Sequence, residues 1–196
     1  MKKNLVISVP MTIATTILLG IIYPLVVTGI SQVLFPKKAN GQFIEANGKI
    51  VGSRIIGQTF TSPGYFHSRP SAAGNGYDAT ASNGSQLGPT NQKLVDRVKG
   101  DVAAAQAENP GTPIPIDLVT ASGSGLDPEL SPAAAAFQIP RIAKARGISE
   151  AQTRELVAKH TENRQLGFLG EPRVNVLELN LELDKQFPGT KQAMTQ

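Results

Sequence analysis

Cysteine and tryptophan are both absent from this 196-residue sequence, and aromatic residues make up only 5% of it. Without cysteine, the chain cannot form a disulfide, use a thiol nucleophile or bind a metal through thiolates. The two histidines, His67 and His160, lie far apart and do not form a ligand pair at helical spacing. Glycine (19) and proline (14) are plentiful, which indicates many turns around a modest aliphatic core.

Most of the chain also lacks excess positive charge, although its formal net charge is +4. Four of the 19 lysines and arginines stand at positions 2, 3, 37 and 38, where no acidic residue occurs. The other 15 are matched by 15 aspartates and glutamates, so the rest of the chain is formally neutral. Nucleic-acid binding is not indicated, because it would require a basic surface.

A charge-free apolar run occupies residues 4–35. A helix needs about 20 such residues to cross a bilayer, whereas a cleaved secretory signal has a shorter apolar region and a small-residue cleavage site. We therefore predict an uncleaved anchor over residues 1–36 and one soluble domain over residues 37–196. The flanking lysines favour a cytoplasmic N-terminus only slightly.

Inside the anchor, Tyr23 and Pro24 interrupt the aliphatic run. Pro24 predicts a bend or an unpaired carbonyl, because proline has no backbone N–H. Gly20, Thr28 and Gly29 are small enough to let a second membrane helix approach closely. A kinked helix surrounded by lipid and a helix packed against a partner both agree with this pattern.

The soluble part predicts an α+β fold, a single mixed domain with a small sheet and about four helices. Asn47-Gly48 predicts a hairpin over residues 42–51, since both residues tolerate the positive φ of a tight turn, and residues 54–57 are expected to extend its second strand. Apolar spacing and capping residues predict the elements that follow. They are a helix over residues 90–108 capped by Thr90, an edge strand over 113–119, and helices over 132–146 and 149–161. Residues 174–187 fit both a strand and a helix, and their leucines and glutamates favour the helix.

Residues 61–89 form a long segment rich in Ser, Gly, Asn and Pro that carries Tyr65, His67 and Arg69. A flexible linker would have little use for these three side chains, and Tyr and Arg are enriched at binding hot spots. We expect the segment to expose them and to become ordered only against a partner.

A small-residue loop at residues 120–128 is the other candidate for chemistry. Its Ser122, Gly123, Ser124 and Gly125 could present backbone N–H groups to a phosphate. However, no Lys-Ser or Lys-Thr pair follows, and the G-x-S-x-G spacing of a serine hydrolase is absent. A structural turn is therefore favoured.

Glu171 and Arg173 lie between a glycine-rich turn and the last predicted helix. We predict that they form an ordering ion pair or a contact with a partner. Carboxylates elsewhere could support acid–base chemistry only if the fold brought two of them together, which no spacing in the sequence indicates.

Several long motifs follow one another along the chain. They are Tyr23-Pro-Leu, Ile56-Gly-Gln-Thr-Phe60, Tyr65-Phe-His-Ser-Arg-Pro-Ser71, Gly84-Ser-Gln-Leu-Gly-Pro89, Val119-Thr-Ala-Ser-Gly-Ser-Gly-Leu-Asp-Pro128 and Gly170-Glu-Pro-Arg-Val-Asn-Val-Leu177. In these motifs the chain resembles the C-subunit family of the Kdp-type potassium-transporting ATPase. Gln86 departs from the pattern, which has an asparagine there.

The resemblance implies a single-pass subunit of the bacterial inner membrane, with a cytoplasmic N-terminus and an extracytoplasmic domain. It implies three partners: a channel-like A subunit that takes up potassium, a P-type ATPase B subunit that hydrolyses ATP, and a small F peptide. No cofactor or catalytic residue of its own is implied. The family is described as a catalytic chaperone that promotes ATP binding, and this topology makes us expect such an action through membrane helices or assembly.

Two other functions compete with the accessory subunit. One is a membrane-tethered extracytoplasmic hydrolase that uses residues 120–128, and the other is direct nucleotide binding by the same loop. The missing catalytic spacing and the missing Walker lysine weigh against them. The residues expected to contact a partner are Gly20, Tyr23, Pro24, Thr28, Gly29, Tyr65, His67, Arg69, Glu171 and Arg173.

Overall fold

The computed structural model describes residues 2–46 and 48–188. The chain divides into one compact unit that ends at Val51 and a second that begins at Gly52. The first unit contains α1 (Lys2–Thr15), a π-helical segment (Thr16–Ile22), α2 (Tyr23–Leu34), α3 (Pro36–Ala39) and the strand β1 (Phe43–Ala46), and the strand β2 (Lys49–Ser53) runs across the boundary between the two units.

One continuous helix over Lys2–Leu34 is long enough and apolar enough to cross a membrane. Its middle turns are π-helical, and the N–H of Tyr23 donates to the carbonyl of Leu18, five residues earlier. Because Pro24 has no N–H to donate, a widened turn before it accommodates the lost helical bond. The expected disturbance at Pro24 is therefore present as a π-helical segment.

The predicted hairpin is confirmed, since β1 and β2 pair in a two-stranded sheet and Gly48 has a φ of 74°. Residues 54–57 do not extend β2 as expected. The N–H of Ile56 donates to the carbonyl of Ser53 at 3.3 Å, and the N–H of Ile55 donates to Ser53 Oγ. These bonds turn the chain back immediately after the strand.

The second unit is a mixed α+β domain, as predicted. Its elements are α4 (Gln92–Glu108), a 3₁₀ turn (Ile116–Leu118), β3 (Glu129–Leu130), α5 (Pro132–Arg146), α6 (Glu150–Lys159), β4 (Thr161–Glu162), β5 (Arg173–Asn175) and α7 (Val176–Gln186). Strand β5 lies between β3 and β4 and is antiparallel to both. This sheet was not anticipated, because strands of two or three residues carry no readable periodicity.

The helix boundaries follow local capping chemistry. Ser131 accepts a hydrogen bond from Ala134 N at the start of α5, and Gly147 ends that helix with a φ of 67°. Ser149 forms the predicted capping box of α6. Helix α4 is capped by Asn91 rather than by Thr90. Asn175 caps α7, which confirms a helix for most of residues 174–187.

Residues 113–119 do not form the predicted edge strand. Pro113 and Pro115 lack the N–H groups that a strand would donate, and a 3₁₀ turn follows them. Asp117 in this turn accepts hydrogen bonds from the N–H and hydroxyl of Ser131, at 2.8 and 3.1 Å. The turn thereby supports the beginning of α5.

The core of the second unit lies where α5, α6 and α7 meet the three-stranded sheet. Its buried members are Phe66, Leu130, Ala134, Ala135, Ile139, Ile142, Leu156, Val157, Val174, Val176, Leu179 and Leu183. Most of them are aliphatic residues of helices, as the composition indicates. Leu130 and Val174 come from strands β3 and β5, and Phe66 enters the core from the long segment at residues 61–89.

Two amide side chains hold the backbone around Phe66 in the way that a neighbouring strand would. Asn180 in α7 accepts from Phe66 N at 2.8 Å and donates to Phe66 O at 3.0 Å. Gln138 in α5 accepts from His67 N at 2.8 Å and donates to His67 O at 3.0 Å. Buried backbone groups are thus satisfied without a sheet.

Two arginines of α5 bind the residues just before Phe66. Arg141 donates to the carbonyls of Pro63 and Tyr65, and Arg146 donates to the carbonyl of Gly64 at 2.6 Å. The expectation that the segment becomes ordered only against a partner is therefore wrong for this stretch. The domain's own helices hold it.

Candidate functional site

A charged groove of about 540 Å³ lies on the surface of the second unit. It brings together three predicted site residues, Arg69, Glu171 and Arg173. The other lining residues are Pro115, Ile116, Asp117, Thr120, Asp127, Glu129, Leu130, Ser131, Ala133 and Pro172. Four carboxylates and two guanidinium groups therefore face one depression.

Arg69 anchors one side of this groove. Its Nη1 lies 2.9 Å from Asp127 Oδ2, and its Nη2 donates to the carbonyl and hydroxyl oxygens of Thr120 at 3.4 and 3.3 Å. The side chain is only about a quarter exposed, at 24%. Arg69 therefore joins the 61–89 segment to the loop at residues 120–128.

Arg173 also lines the groove. It pairs with Glu129 at 2.9 Å and with Glu162 at 3.1 Å. Burial raises the pKa of Glu129, and Arg173 opposes that shift. Glu171 pairs instead with Arg164 at 2.6 Å, so the predicted Glu171–Arg173 ion pair is wrong. Arg173 lies in β5, whose neighbours β3 and β4 carry Glu129 and Glu162, whereas Glu171 precedes the strand.

The groove presents matched ion pairs rather than an acid–base couple or a metal site. No group of three or more His, Asp or Glu side chains among residues 2–46 and 48–188 could hold a metal ion. Catalytic carboxylates work when their environments drive their pKa values apart. Here each acid described above has a hydrogen-bond donor or a guanidinium beside it.

The small-residue loop at residues 120–128 folds against the 61–89 segment. Ser122 N donates to Pro70 O, and Gly125 N donates to both oxygens of Ser122. The hydroxyls of Ser122 and Ser124 lie 3.2 Å apart, and Leu126 N donates to Ser124 Oγ. These N–H groups donate hydrogen bonds to acceptors within the domain and are not directed at a ligand site.

Packing fixes the same loop. A Cβ on Gly84 would lie 2.9 Å from the carbonyl of Gly123. Ser122 is only 4% exposed. The favoured reading of the loop as a structural turn agrees with this arrangement.

Tyr65 is buried, so its expected exposure is wrong. Its hydroxyl donates to Asp184 at 2.8 Å, and the guanidinium of Arg146 lies 4.7 Å from the centre of its ring. His67 Nε2 lies 2.9 Å from Ser62 O. Burial lowers the pKa of His67, with Arg141 adding to that effect. Both side chains serve the packing of their own domain.

The five anchor candidates are all exposed in the single chain. They are Gly20, Tyr23, Pro24, Thr28 and Gly29. A Cβ on Gly29 would meet nothing within 4 Å, and one on Gly20 would meet only Thr16 at 3.8 Å. The helix surface is therefore free to receive another element at these positions.

One exposed feature received no function from the sequence. Leu166, Phe168 and Leu169 stand out from a tight turn between β4 and β5. The available signal was three large apolar residues set among two glycines, just before Glu171, and these apolar residues were assigned no role from the sequence.

Tyr77, which contacts Arg69 beside the groove, makes the folding stability of the domain depend on pH. Its hydroxyl donates to Arg69 O at 2.9 Å, and burial raises its pKa to about 12. An unfolded tyrosine ionises near pH 10. Between about pH 10 and 12 the unfolded state therefore loses this proton while the folded state keeps it, and folding stability falls.

We expect Tyr77→Phe to remove most of the fall in unfolding free energy between about pH 10 and 12, and to leave its pH dependence below about pH 9 unchanged. Urea unfolding at several pH values, with phenolate absorbance followed in parallel, measures both effects. Tyr65 also has a raised pKa, so some slope should remain. If the variant and the parent had the same number of late-titrating tyrosines, the assignment to Tyr77 would be contradicted.

Known proteins resemble this chain over nearly its full length. A family model described as "KdpC: K+-transporting ATPase, c chain" matches residues 5–185. The "Potassium-transporting ATPase KdpC subunit" of Koribacter versatilis (strain Ellin345) is 68% identical over 188 residues, which covers 96% of this chain and 97% of the relative. The proteins of the same name from Caulobacter vibrioides (strain NA1000 / CB15N) and Acidobacterium capsulatum are 58% and 57% identical. The alignment with the Caulobacter protein covers 88% of this chain and 88% of that relative, and the alignment with the Acidobacterium protein covers 89% and 94%.

Proposed function

The chain belongs to the KdpC family, the c chain of K+-transporting ATPases, and on this premise we propose that it is a non-catalytic accessory subunit of an ATP-driven potassium uptake complex. One observation carries the proposal: the similarity spans the apolar helix and the second unit together. A shared motif alone would indicate one site, whereas similarity along the whole chain indicates the same subunit.

In this proposal the chain carries no cofactor of its own, and other subunits handle ATP and potassium. The loop at residues 120–128 supports this division, because Ser122, Gly125 and Leu126 donate their N–H groups within the domain. Within residues 2–46 and 48–188, the contacts of this loop do not support the hydrolase alternative. Ser122 and Ser124 hydroxyls contact each other, and the His67 ring contacts a backbone carbonyl.

The proposed partners are a channel-like A subunit, which is the main one, a P-type ATPase B subunit and a small F peptide. The chain would sit in the bacterial inner membrane with its N-terminus in the cytoplasm and its second unit outside. The exposed small residues Gly20, Thr28 and Gly29 support helix packing against a partner in the membrane. Any catalytic-chaperone action would then pass through membrane helices or assembly.

Reconstitution tests the proposal directly. The chain, tagged at its C-terminus, is co-expressed with the other three subunits, and the complex is purified in mild detergent. We expect all four chains to co-purify and potassium-stimulated ATP hydrolysis to fall to near background when this chain is omitted. Full ATPase activity and potassium uptake without the chain would overturn the proposal, as would isolation of the chain alone with hydrolase activity.

A further inference from the structure

Two exposed lysines stand where the membrane-length helix ends. Lys37 and Lys38 lie in α3, which begins two residues after the last residue of α2. Neither side chain forms an ion pair within residues 2–46 and 48–188, and the first acidic residue of the chain is Glu45. Membrane orientation does not account for this pair, because loop lysines are enriched on only one side of a membrane and Lys2 and Lys3 occupy the other end of the helix.

The backbone around Lys37 and Lys38 forms a closed turn. Gln42 N donates to Lys37 O at 3.0 Å, and Gly41 N donates to Lys38 O at 3.3 Å. Gly41 and Gln42 both adopt positive φ, 85° and 50°, and the chain reverses there after α3. The two lysines are therefore carried on a defined turn and not on an extended linker.

A pair of amide side chains ties this turn back to the membrane-length helix. Gln32 Nε2 donates to Asn40 Oδ1 at 3.2 Å, and Asn40 Nδ2 donates to Gln32 Oε1 at 3.1 Å. Asn40 also donates to Pro36 O at 2.8 Å. Because Gln32 lies in the last turn of α2, these bonds keep α3 beside the end of the helix.

The length of the helix fixes the depth of α3 relative to a bilayer. The helix over Lys2–Leu34 has 33 residues, which makes it about 50 Å long. A bilayer with its headgroup regions is about 40–45 Å thick, so a helix that crosses it reaches the headgroups at both ends. The amide pair holds α3 at one of these ends. The bilayer itself therefore covers the surface around Lys37 and Lys38.

Two exposed phenylalanines stand on either side of the lysines in the sequence. Phe35 is 56% exposed and Phe43 is 62% exposed. The ring of Phe43 lies beside the turn, since a Cβ on Gly41 would be 3.6 Å from its Cε2 and Cζ atoms. Basic residues next to exposed aromatic side chains are typical of segments that lie in the membrane interface. There the rings are shielded from water while the ammonium groups stay among the phosphates.

We propose that residues 32–43 form a binding site for the phosphate headgroup of an anionic phospholipid. Lys37 and Lys38 bind the phosphate, and Phe35 and Phe43 contact the adjoining part of the acyl chains. An anionic headgroup is favoured over a zwitterionic one, because the latter carries an ammonium group of its own. The inference rests on the membrane location in the proposed function and adds a ligand that this function does not require.

A tryptophan reporter tests the site, because the chain has no tryptophan of its own. The full chain carrying Phe43→Trp is reconstituted in vesicles of phosphatidylcholine and phosphatidylglycerol in equal parts. In one sample the phosphatidylglycerol has brominated acyl chains, and in the other the phosphatidylcholine does. Bromine quenches only a tryptophan close to it. Since each lysine near an anionic surface favours association about fivefold, we expect brominated phosphatidylglycerol to quench at least about threefold more strongly.

Charge-matched variants show whether the turn is responsible. Lys37→Gln together with Lys38→Gln should abolish the preference for phosphatidylglycerol. Lys2→Gln together with Lys3→Gln removes the same charge at the other end of the helix and should leave the preference unchanged. Asn40→Ala keeps both lysines but breaks the amide pair, and should lower the preference by at least about half because the turn is no longer held in place. Equal effects of the two lysine pairs, or no effect of Asn40→Ala, would overturn the proposal.

The complete complex shows whether lipid or protein covers the site. Phe43→Cys introduces a single cysteine into the chain, which is labelled with a photoactivatable maleimide before assembly with the other subunits in the same vesicles. We expect adducts with phospholipid. Adducts with another subunit alone would overturn the proposal.

Failure of the proposed function and failure of the lipid site give different results. If neither brominated lipid quenches Phe43→Trp, the membrane location in the proposed function is wrong, and the lipid site with it. If both lipids quench equally, the membrane location stands and only the anionic phospholipid site is wrong.

Discussion

Gly125→Ala is expected to lower the free energy of unfolding of the second unit by about 2–5 kcal/mol. A Cβ at this position would lie 2.7 Å from Ala73 Cβ, from Ala73 N and from Asn83 O. The φ of Gly125 is 68°, which disfavours any side chain. Two of the three close atoms belong to the backbone, so no rotamer change relieves the contact.

Gly125 lies where the 61–89 segment contacts the loop at residues 120–128, so strain at this position affects both. Ser71 Oγ donates to Gly125 O at 2.6 Å, and Asn83 N donates to Ser124 O at 2.9 Å. Displacing Gly125 therefore loosens the 61–89 segment from the loop at residues 120–128. Hydrogen exchange should show faster exchange at Ser122 N and Asn83 N in the variant.

Gly147→Ala is the matched control. Gly147 has almost the same φ, 67°, but a Cβ there would meet nothing within 4 Å. This variant should therefore lower the free energy of unfolding only by the cost of placing a side chain on a left-handed backbone, about 1–2 kcal/mol. Urea unfolding of the full chain in detergent measures both losses, and tyrosine fluorescence can report them because tryptophan is absent. Equal losses in the two variants would show that the contacts around Gly125 are easily relieved.

Asn180→Ala is expected to cost about 3–5 kcal/mol of unfolding free energy. The substitution removes both hydrogen bonds to Phe66, whose N–H and carbonyl would then be buried without partners. Asn180 is fully buried, so water cannot replace the amide without opening the core. The variant should also release Phe66 and speed hydrogen exchange at its amide.

Two further variants separate the causes. Asn180→Asp keeps the shape and the acceptor for Phe66 N but, while ionised, cannot donate to Phe66 O, so it too should be strongly destabilised near neutral pH. Asn91→Ala removes an exposed cap that bonds Lys93 N and should cost only about 1 kcal/mol. If Asn180→Ala cost no more than Asn91→Ala, the side-chain clamp would not be holding the segment.

Local chemistry explains why parts of this protein can be predicted from its sequence. The apolar helix follows from composition. Both ends of α5 follow from Ser131 and Gly147, and the start of α6 follows from Ser149, because these residues act on the neighbouring backbone. The Asn47-Gly48 hairpin is another local feature. The family resemblance was based on the order of several motifs along the chain and not on a single site. The match to the family over residues 5–185 confirmed it.

The candidate site was less predictable, because its geometry depends on contacts between distant residues. Arg173 pairs with Glu129 and Glu162 rather than with nearby Glu171, since strand β5 lies between β3 and β4. Tyr65 is buried by α5 and α7 although its sequence neighbours suggest an exposed loop. Neither the ion-pair partners of Arg173 nor the burial of Tyr65 can be predicted from the residues within one helical turn or one strand.

The amino-acid sequence thus determined the membrane-length helix, the neutral charge of residues 39–196, the caps of α5 and α6 and the family. The tertiary structure alone decided the three-stranded sheet, the hydrogen bonds of Asn180 and Gln138 around Phe66, and the exposure of the apolar turn at residues 165–169. Propensity, capping and charge act over a few residues and can be read along the chain. Burial and ion-pair partnership are settled only when segments separated by many tens of residues meet in one core.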